Sequence, residues 1–211
     1  MSRSAEWYFD FISPFAYLQF KHFHRLPADL EVRLVPVLFA GLLGHWEHKG
    51  PAEIPAKRVQ TYRYCHWLAG RLGVPFRVPP AHPFNPLVAL RLAIALEARE
   101  EAVATLFDFI WSEGGDIAAP GALDTLATRL DVGNAAELVA APAVKQALRD
   151  NTAAAIARGV YGVPTFAVDE ELFWGFDATD MLLDYLADPA LMADPEMQRL
   201  ARLPSAATRR A

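Results

Sequence analysis

The sequence predicts an α/β fold whose sheet is interrupted by an all-helical insertion. Three observations carry this. The chain opens as strand, helix, strand; strand patterning is then absent across residues 41–158; and it returns as a hairpin followed by a last helix.

Trp7-Tyr8-Phe9-Asp10-Phe11 has the aromatic enrichment of a strand. Ser13-Pro14 places a hydroxyl at an N-cap and a proline at the first helical position, so a helix is expected from Phe15 to Leu26, ending before Pro27. Val32 to Leu38 is β-branched and apolar, fit for a buried strand. So short a strand–helix–strand unit predicts a parallel pair joined by a right-handed crossover. From about Ala40 the character changes. Val59–Leu72 is amphipathic and stops at Gly73-Val74-Pro75, and a turn runs from Val78 to Pro83. Asn85-Pro86 opens a helix to about Arg99. Further alanine-rich helices are expected over Glu101–Trp111, Gly121–Leu130, Ala135–Val139 and Ala143–Arg158. Thr165–Val168, a turn at Asp169-Glu170 and Glu171–Trp174 then read as a β-hairpin, and Asp177 starts a helix through Tyr185. The expected division is a discontinuous α/β domain (1–40 and 159–190), a helical insertion domain (41–158), and a peripheral, partly irregular tail (191–211).

Composition narrows the function. A chain of 211 residues, 53% hydrophobic and 21% charged, is that of an ordinary globular protein. The net charge of −5 argues against broad nucleic-acid binding and against a polybasic membrane anchor. The longest apolar stretch, Leu34 to Gly44, contains Pro36 and falls short of the roughly 20 residues a membrane helix needs. Asp10 breaks the first apolar run and no small-residue cleavage site follows, so a cytoplasmic location is expected. The single cysteine, Cys65, cannot form an internal disulfide. It sits among Tyr62, Tyr64 and Trp67 and is read as a buried, inert thiol. His45 and His48 lack a third ligand at helical spacing, so no metal site is expected.

Three short motifs bear on chemistry. Ser13, between a strand and a helix, is either a cap alone or a group facing an anion among the free N–H groups of the helix start. In Gly162-Val163-Pro164-Thr165, a proline opening a strand fits an edge or a special site. If the Val163–Pro164 bond is cis, the Val163 backbone is open to an extended ligand; trans is the commoner state. In Phe173-Trp174-Gly175-Phe176-Asp177-Ala178, Asp177 is either a helix N-cap or a partner for a charged ligand end.

Taken together and in this order, these segments resemble one family. Phe9–Tyr17, with Ser13-Pro14 at its centre, is similar to the N-terminal signature of 2-hydroxychromene-2-carboxylate isomerases, relatives of kappa-class glutathione transferases and bacterial disulfide oxidases. Gly162–Phe166 resembles the family's cis-proline strand and Phe173–Asp177 its closing motif, so the likeness covers roughly residues 5 to 187. It implies a thioredoxin-like domain interrupted by an all-helical insertion domain, glutathione as cofactor, an aromatic-derived small-molecule substrate and a homodimer. By the resemblance, Ser13 stabilises the glutathione thiolate, Val163 pairs with the peptide beside a cis Pro164, and Asp177 with Ala178 binds the γ-glutamyl end. The implied reaction is reversible thiolate addition to a conjugated double bond, with isomerisation before the thiol leaves. The substrate side is expected along the insertion, notably Leu42 to Lys57 and His82 to Asn85, with Lys49 or Lys57 a candidate for a carboxylate and Asn85 for a carbonyl or hydroxyl. The alternatives are a solvated surface for the lysines and a helix cap for Asn85. Where the family carries Gly-Asn, this chain has His45-Trp46-Glu47-His48-Lys49-Gly50.

The same machinery would serve a conjugating, kappa-like glutathione transferase. Disulfide exchange is excluded, because Ser13-Pro14-Phe15-Ala16 contains no sulfur. A reading of a different class is a non-catalytic module that holds extended peptides at the cis-proline edge.

Overall fold

A computed structural model describes residues 3–207. Strand β1 (Arg3–Phe9) leads through the turn Asp10–Ser13 into α1 (Pro14–Phe20), and β2 (Leu30–Pro36) returns parallel to β1. The insertion contributes α2 (Phe39–His45), α3 (Pro55–Leu72), α4 (Leu87–Ala95), α5 (Glu100–Phe107), α6 (Ala122–Arg129), α7 (Ala135–Ala140) and α8 (Pro142–Ala157). Strands β3 (Thr165–Val168) and β4 (Glu171–Trp174), then α9 (Thr179–Ala187) and α10 (Pro195–Leu200), complete the chain. The sheet order is β2-β1-β3-β4, with β3 antiparallel to both β1 and β4. This is a thioredoxin-like α/β fold carrying a helical insertion.

The hairpin lies where the sequence pattern puts it. The other boundaries move for local reasons. β1 extends ahead of Trp7 because its polar first half, Arg3–Glu6, pairs in register with Leu30–Arg33, and it ends at Phe9, leaving Asp10 and Phe11 in the turn. The first helix stops at Phe20 rather than Leu26, and a separate 3-10 turn covers Phe23–Arg25. α2 has no capping side chain to announce it. α4 ends at Ala95, short of Arg99, because Glu97 and Ala98 are both left-handed, with φ of 56° and 48°. Beyond Asp188 the tail is ordered further than its composition predicts: a 3-10 turn at Pro189–Ala193 precedes α10, capped by Asp194.

Sheet and insertion share a large hydrophobic core, and a smaller second cluster joins Tyr8, Val35 and Ala167 of the sheet to Leu42 and Ala155 of the insertion. Trp7 stacks on Phe9 at 4.6 Å between ring centroids, and Phe107 of α5 packs on Phe11 at the same separation. Leu90, Leu92 and Trp111 of the insertion belong to the same cluster as Phe166 and Phe173 of the hairpin. One buried polar side chain crosses this core. Gln19 on α1 accepts from the Trp7 indole at 2.7 Å and donates to the Gly175 carbonyl and the Thr179 hydroxyl, both at 3.0 Å. It thereby fixes the start of α9 against α1. We expect Gln19→Leu to destabilise the protein by about 2–3 kcal/mol, since three buried polar groups lose their partner; denaturant unfolding measures this.

Candidate active site

The turn between β1 and α1 is closed from both halves of the molecule. The Asp10 carbonyl accepts from the Ser13 amide at 3.0 Å, and the Ser13 carbonyl from the Tyr17 amide at 3.3 Å. The two carbonyls between them are met by the insertion: the Trp111 indole donates to Phe11 at 2.8 Å, and His82 Nε2 lies 2.8 Å from the Ile12 oxygen. Trp111 reaches this position from a π-helical turn, Asp108–Ser112, that continues α5. Inside the turn, the fully buried Asp10 carboxylate accepts from the Ile12 amide at 3.0 Å and the Phe39 amide at 2.9 Å. Burial pushes its pKa up to about 7, against the pull of the two amides.

Ser13 is the N-cap of α1. Its Oγ accepts from the Ala16 amide at 3.2 Å, which leaves the hydroxyl proton free to donate. α1 spans only seven residues, so its dipole is small and the hydroxyl is the main polar feature at this point. Ser13 lines a cleft of about 470 Å³ together with Val163, Pro164 and Asp177. The Val163–Pro164 bond is cis. Among the described residues, no backbone hydrogen bond engages the N–H or carbonyl of Val163. Pro164 enters an internal strand rather than an edge strand, and its carbonyl accepts from the Gly175 amide at 2.8 Å.

Two glycines shape this wall. A Cβ on Gly162 would meet the Trp174 indole nitrogen at 2.3 Å, so the indole lies directly on the backbone before Val163. Gly175 is left-handed, with φ of 94°, and a Cβ there would meet the Asp177 carboxylate at 2.4 Å. Asp177 is not the N-cap the sequence allows. It sits in a 3-10 turn, Phe176–Ala178, and Ala178 precedes α9 without a side-chain cap. The exposed Asp177 carboxylate is therefore free to face a ligand.

The opposite wall comes from the insertion: Phe39, Leu43, Glu53, Thr61, Tyr62 and His82. No lysine or arginine lines the cleft among the described residues. Lys49 and Lys57 are exposed and lie outside the lining. Asn85 is also outside; its Oδ1 accepts from the Leu87 amide at 3.0 Å, the capping role that was the alternative reading. Cys65 is buried on α3, and desolvation pushes its thiol up to about 12, so it is unreactive. Among the described residues, no group of three potential metal ligands is assembled, and no helix is long and apolar enough to cross a membrane.

His82 lies in a segment expected to line the substrate side, but its pairing with Tyr62 is not announced by the sequence. A carbonyl can only accept, so His82 Nε2 carries the proton toward Ile12, and Nδ1 faces the Tyr62 hydroxyl at 2.7 Å. Burial holds His82 below the ordinary imidazole range, which keeps this neutral tautomer. The His82–Pro83 bond is cis. A local signal existed only in part: two aromatic residues and a His-Pro in a turn.

A serine hydroxyl, a backbone segment beside a cis proline and an exposed carboxylate thus meet on one cleft of a thioredoxin-like α/β fold. The family model for the DSBA-like thioredoxin domain matches residues 5–187, and the chain belongs to that family. Glutathione S-transferase kappa 2 of Caenorhabditis elegans is 27% identical over 207 residues, covering 88% of this chain and 92% of its own length. The 2-hydroxychromene-2-carboxylate isomerase of Sphingobium xenophagum is 29% identical over 196 residues, covering 89% of this chain and all (100%) of its own. A solved structure of 2-hydroxychromene-2-carboxylate isomerase superposes with a TM-score of 0.77 at 23% identity, over 95% of this chain and 100% of that one, and shares the fold.

Asp10 supplies a test of the turn. A folded-state pKa of about 7 lies above the roughly 3.9 of an unfolded aspartate, so the native state binds more protons between these values. Its stabilising contribution is complete below pH ~4 and is lost as pH rises through about 7. Unfolding midpoints from pH ~4 to ~8 should fall more steeply for the wild type than for Asp10→Asn. Parallel profiles for the two proteins would contradict the assignment.

Proposed function

We propose that the protein is a glutathione-dependent isomerase of conjugated, aromatic-derived acids. The observation that carries this is the meeting of the Ser13 hydroxyl, the cis Val163–Pro164 bond and Asp177 on one cleft. Val163 offers one donor and one acceptor to the cysteinyl backbone of glutathione. Asp177, with the turn leading to Ala178, takes the α-ammonium of the γ-glutamyl end. The thiol then lies against Ser13.

A free thiol has a pKa of about 8.5. A hydrogen bond to a charged group is worth about 1.5–3 kcal/mol, and each 1.4 kcal/mol is one pKa unit, which brings the bound thiol to about 6.5–7.5. Ser13 acts as a donor to the thiolate, and the nucleophile is the sulfur. The thiolate attacks the conjugated carbon, forming a C–S bond and sending the electron pair onto the carbonyl oxygen. The former double bond rotates. The electron pair returns, the C–S bond breaks, and the isomer and thiolate separate. Phe15, Phe39 and Phe176 line the cleft and limit water around the intermediate.

A kappa-like transferase is the second reading, supported by the kappa relative at 27% identity. It differs only in the last step: the intermediate is protonated and the thioether leaves. The acid substrate class, a cytoplasmic location and a homodimer belong to the same proposal.

Calorimetry with glutathione, paired with product analysis, tests this. The wild type should bind glutathione, and a conjugated hydroxychromene-type acid should be isomerised without net glutathione consumption. Ser13→Ala should lose about ten- to a hundredfold in turnover, with binding of S-methylglutathione, which lacks the proton, nearly unchanged. Stoichiometric thioether would select the transferase; no glutathione binding would exclude both.

A further inference from the structure

We propose that Tyr62, oriented by His82, receives a hydroxyl group of the electrophilic substrate, making it a specificity-determining residue on the insertion wall. The inference rests on the glutathione-dependent reading of the cleft.

It follows from counting protons. The single His82 N–H is committed to the Ile12 carbonyl, 2.8 Å away, so Nδ1 is left as an acceptor. The Tyr62 hydroxyl has one proton, and both acceptors within its reach belong to His82: Nδ1 at 2.7 Å and the backbone oxygen at 2.9 Å. With that proton used, Tyr62 Oη presents lone pairs alone. Tyr62 lines the cleft with Ser13, so those lone pairs are available to a ligand that donates. A hydroxyl satisfies this requirement; a carboxylate or a bare carbonyl does not.

The surroundings agree. Lys49 and Lys57 do not line the cleft, and the insertion wall offers the neutral Thr61, Tyr62 and His82 with the Glu53 carboxylate. Glu53 is itself engaged, accepting from the Gly50 amide at 2.7 Å. The cation whose charge reaches Tyr62 and His82 is Arg58, one turn earlier on α3. Because partial burial makes the His82 ring resist a second proton, the pair orients the substrate hydroxyl rather than storing its proton.

The experiment compares the full-length wild type with Tyr62→Phe on two kinds of probe, benzylideneacetone and its isomeric ring-hydroxylated derivatives. Both are conjugated ketones that add thiols reversibly; supplied as the cis isomers, they report isomerisation by the change in enone absorbance on conversion to trans, and conjugation by its loss. The wild type should prefer at least one hydroxylated isomer. Tyr62→Phe should lose about tenfold in kcat/KM on that isomer and little on benzylideneacetone, because a site that pairs with a hydroxyl discriminates through it. Glutathione affinity should be unchanged, and the unfolding midpoint should fall only modestly, because two part-buried acceptors on His82 lose their donor. Equal loss on both probes, no loss on either, or no hydroxyl preference in a wild type that binds glutathione would overturn the proposal. A wild type that fails to bind glutathione brings down the parent reading, and this one with it.

Discussion

The turn Asp10–Ser13 is the constraint on which the rest of the site depends. Four consecutive carbonyls are each accounted for, one within the turn, one by the first turn of α1 and two by side chains arriving from the insertion. The carboxylate at its head holds the Ile12 and Phe39 amides at once, tying the turn to the start of α2. A satisfied buried hydrogen bond adds about 1 kcal/mol net, but a carbonyl left alone costs about 1–3 kcal/mol. The insertion is therefore part of the Ser13 turn, and the geometry of one half is conditional on the other.

That dependence explains how the cleft is divided. The α/β half supplies the Ser13 hydroxyl, the backbone segment at Val163 and the Asp177 carboxylate, the three groups on which the proposed glutathione site rests. The insertion supplies apolar surface and the Tyr62–His82 pair. His82 serves both sides, because the nitrogen that closes the Ser13 turn determines the protonation of the nitrogen facing Tyr62. Gln19 does the corresponding task on the far side, linking α1 to the Gly175–Thr179 segment that carries Asp177.

Much of this was legible in the sequence. The alternation at Thr165–Val168 and Glu171–Trp174 is local, and the observed hairpin has those bounds. Ser13-Pro14 is a helix start by residue type, and Ser13 is the cap. What stayed hidden depends on distant partners. Asp10 reads locally as a polar break in an apolar run, and nothing nearby reveals that its acceptor is met by Phe39. Trp111 reads locally as a helix residue and His82 as part of a turn, until the fold brings each 2.8 Å from a carbonyl of the Asp10–Ser13 turn, 100 and 70 residues earlier in the chain respectively. Lysines and an asparagine near the expected cleft were natural candidates by charge and polarity, yet chain proximity did not place Lys49, Lys57 or Asn85 in its lining.

The most direct test of the account is the pKa of the thiol of bound glutathione, followed by ultraviolet difference absorbance across pH at saturating ligand. The account predicts a titration centred at about 6.5–7.5, moved back toward the free value of about 8.5 when Ser13 is replaced by alanine. A bound thiol that titrates like free glutathione, in wild type and variant alike, would contradict it.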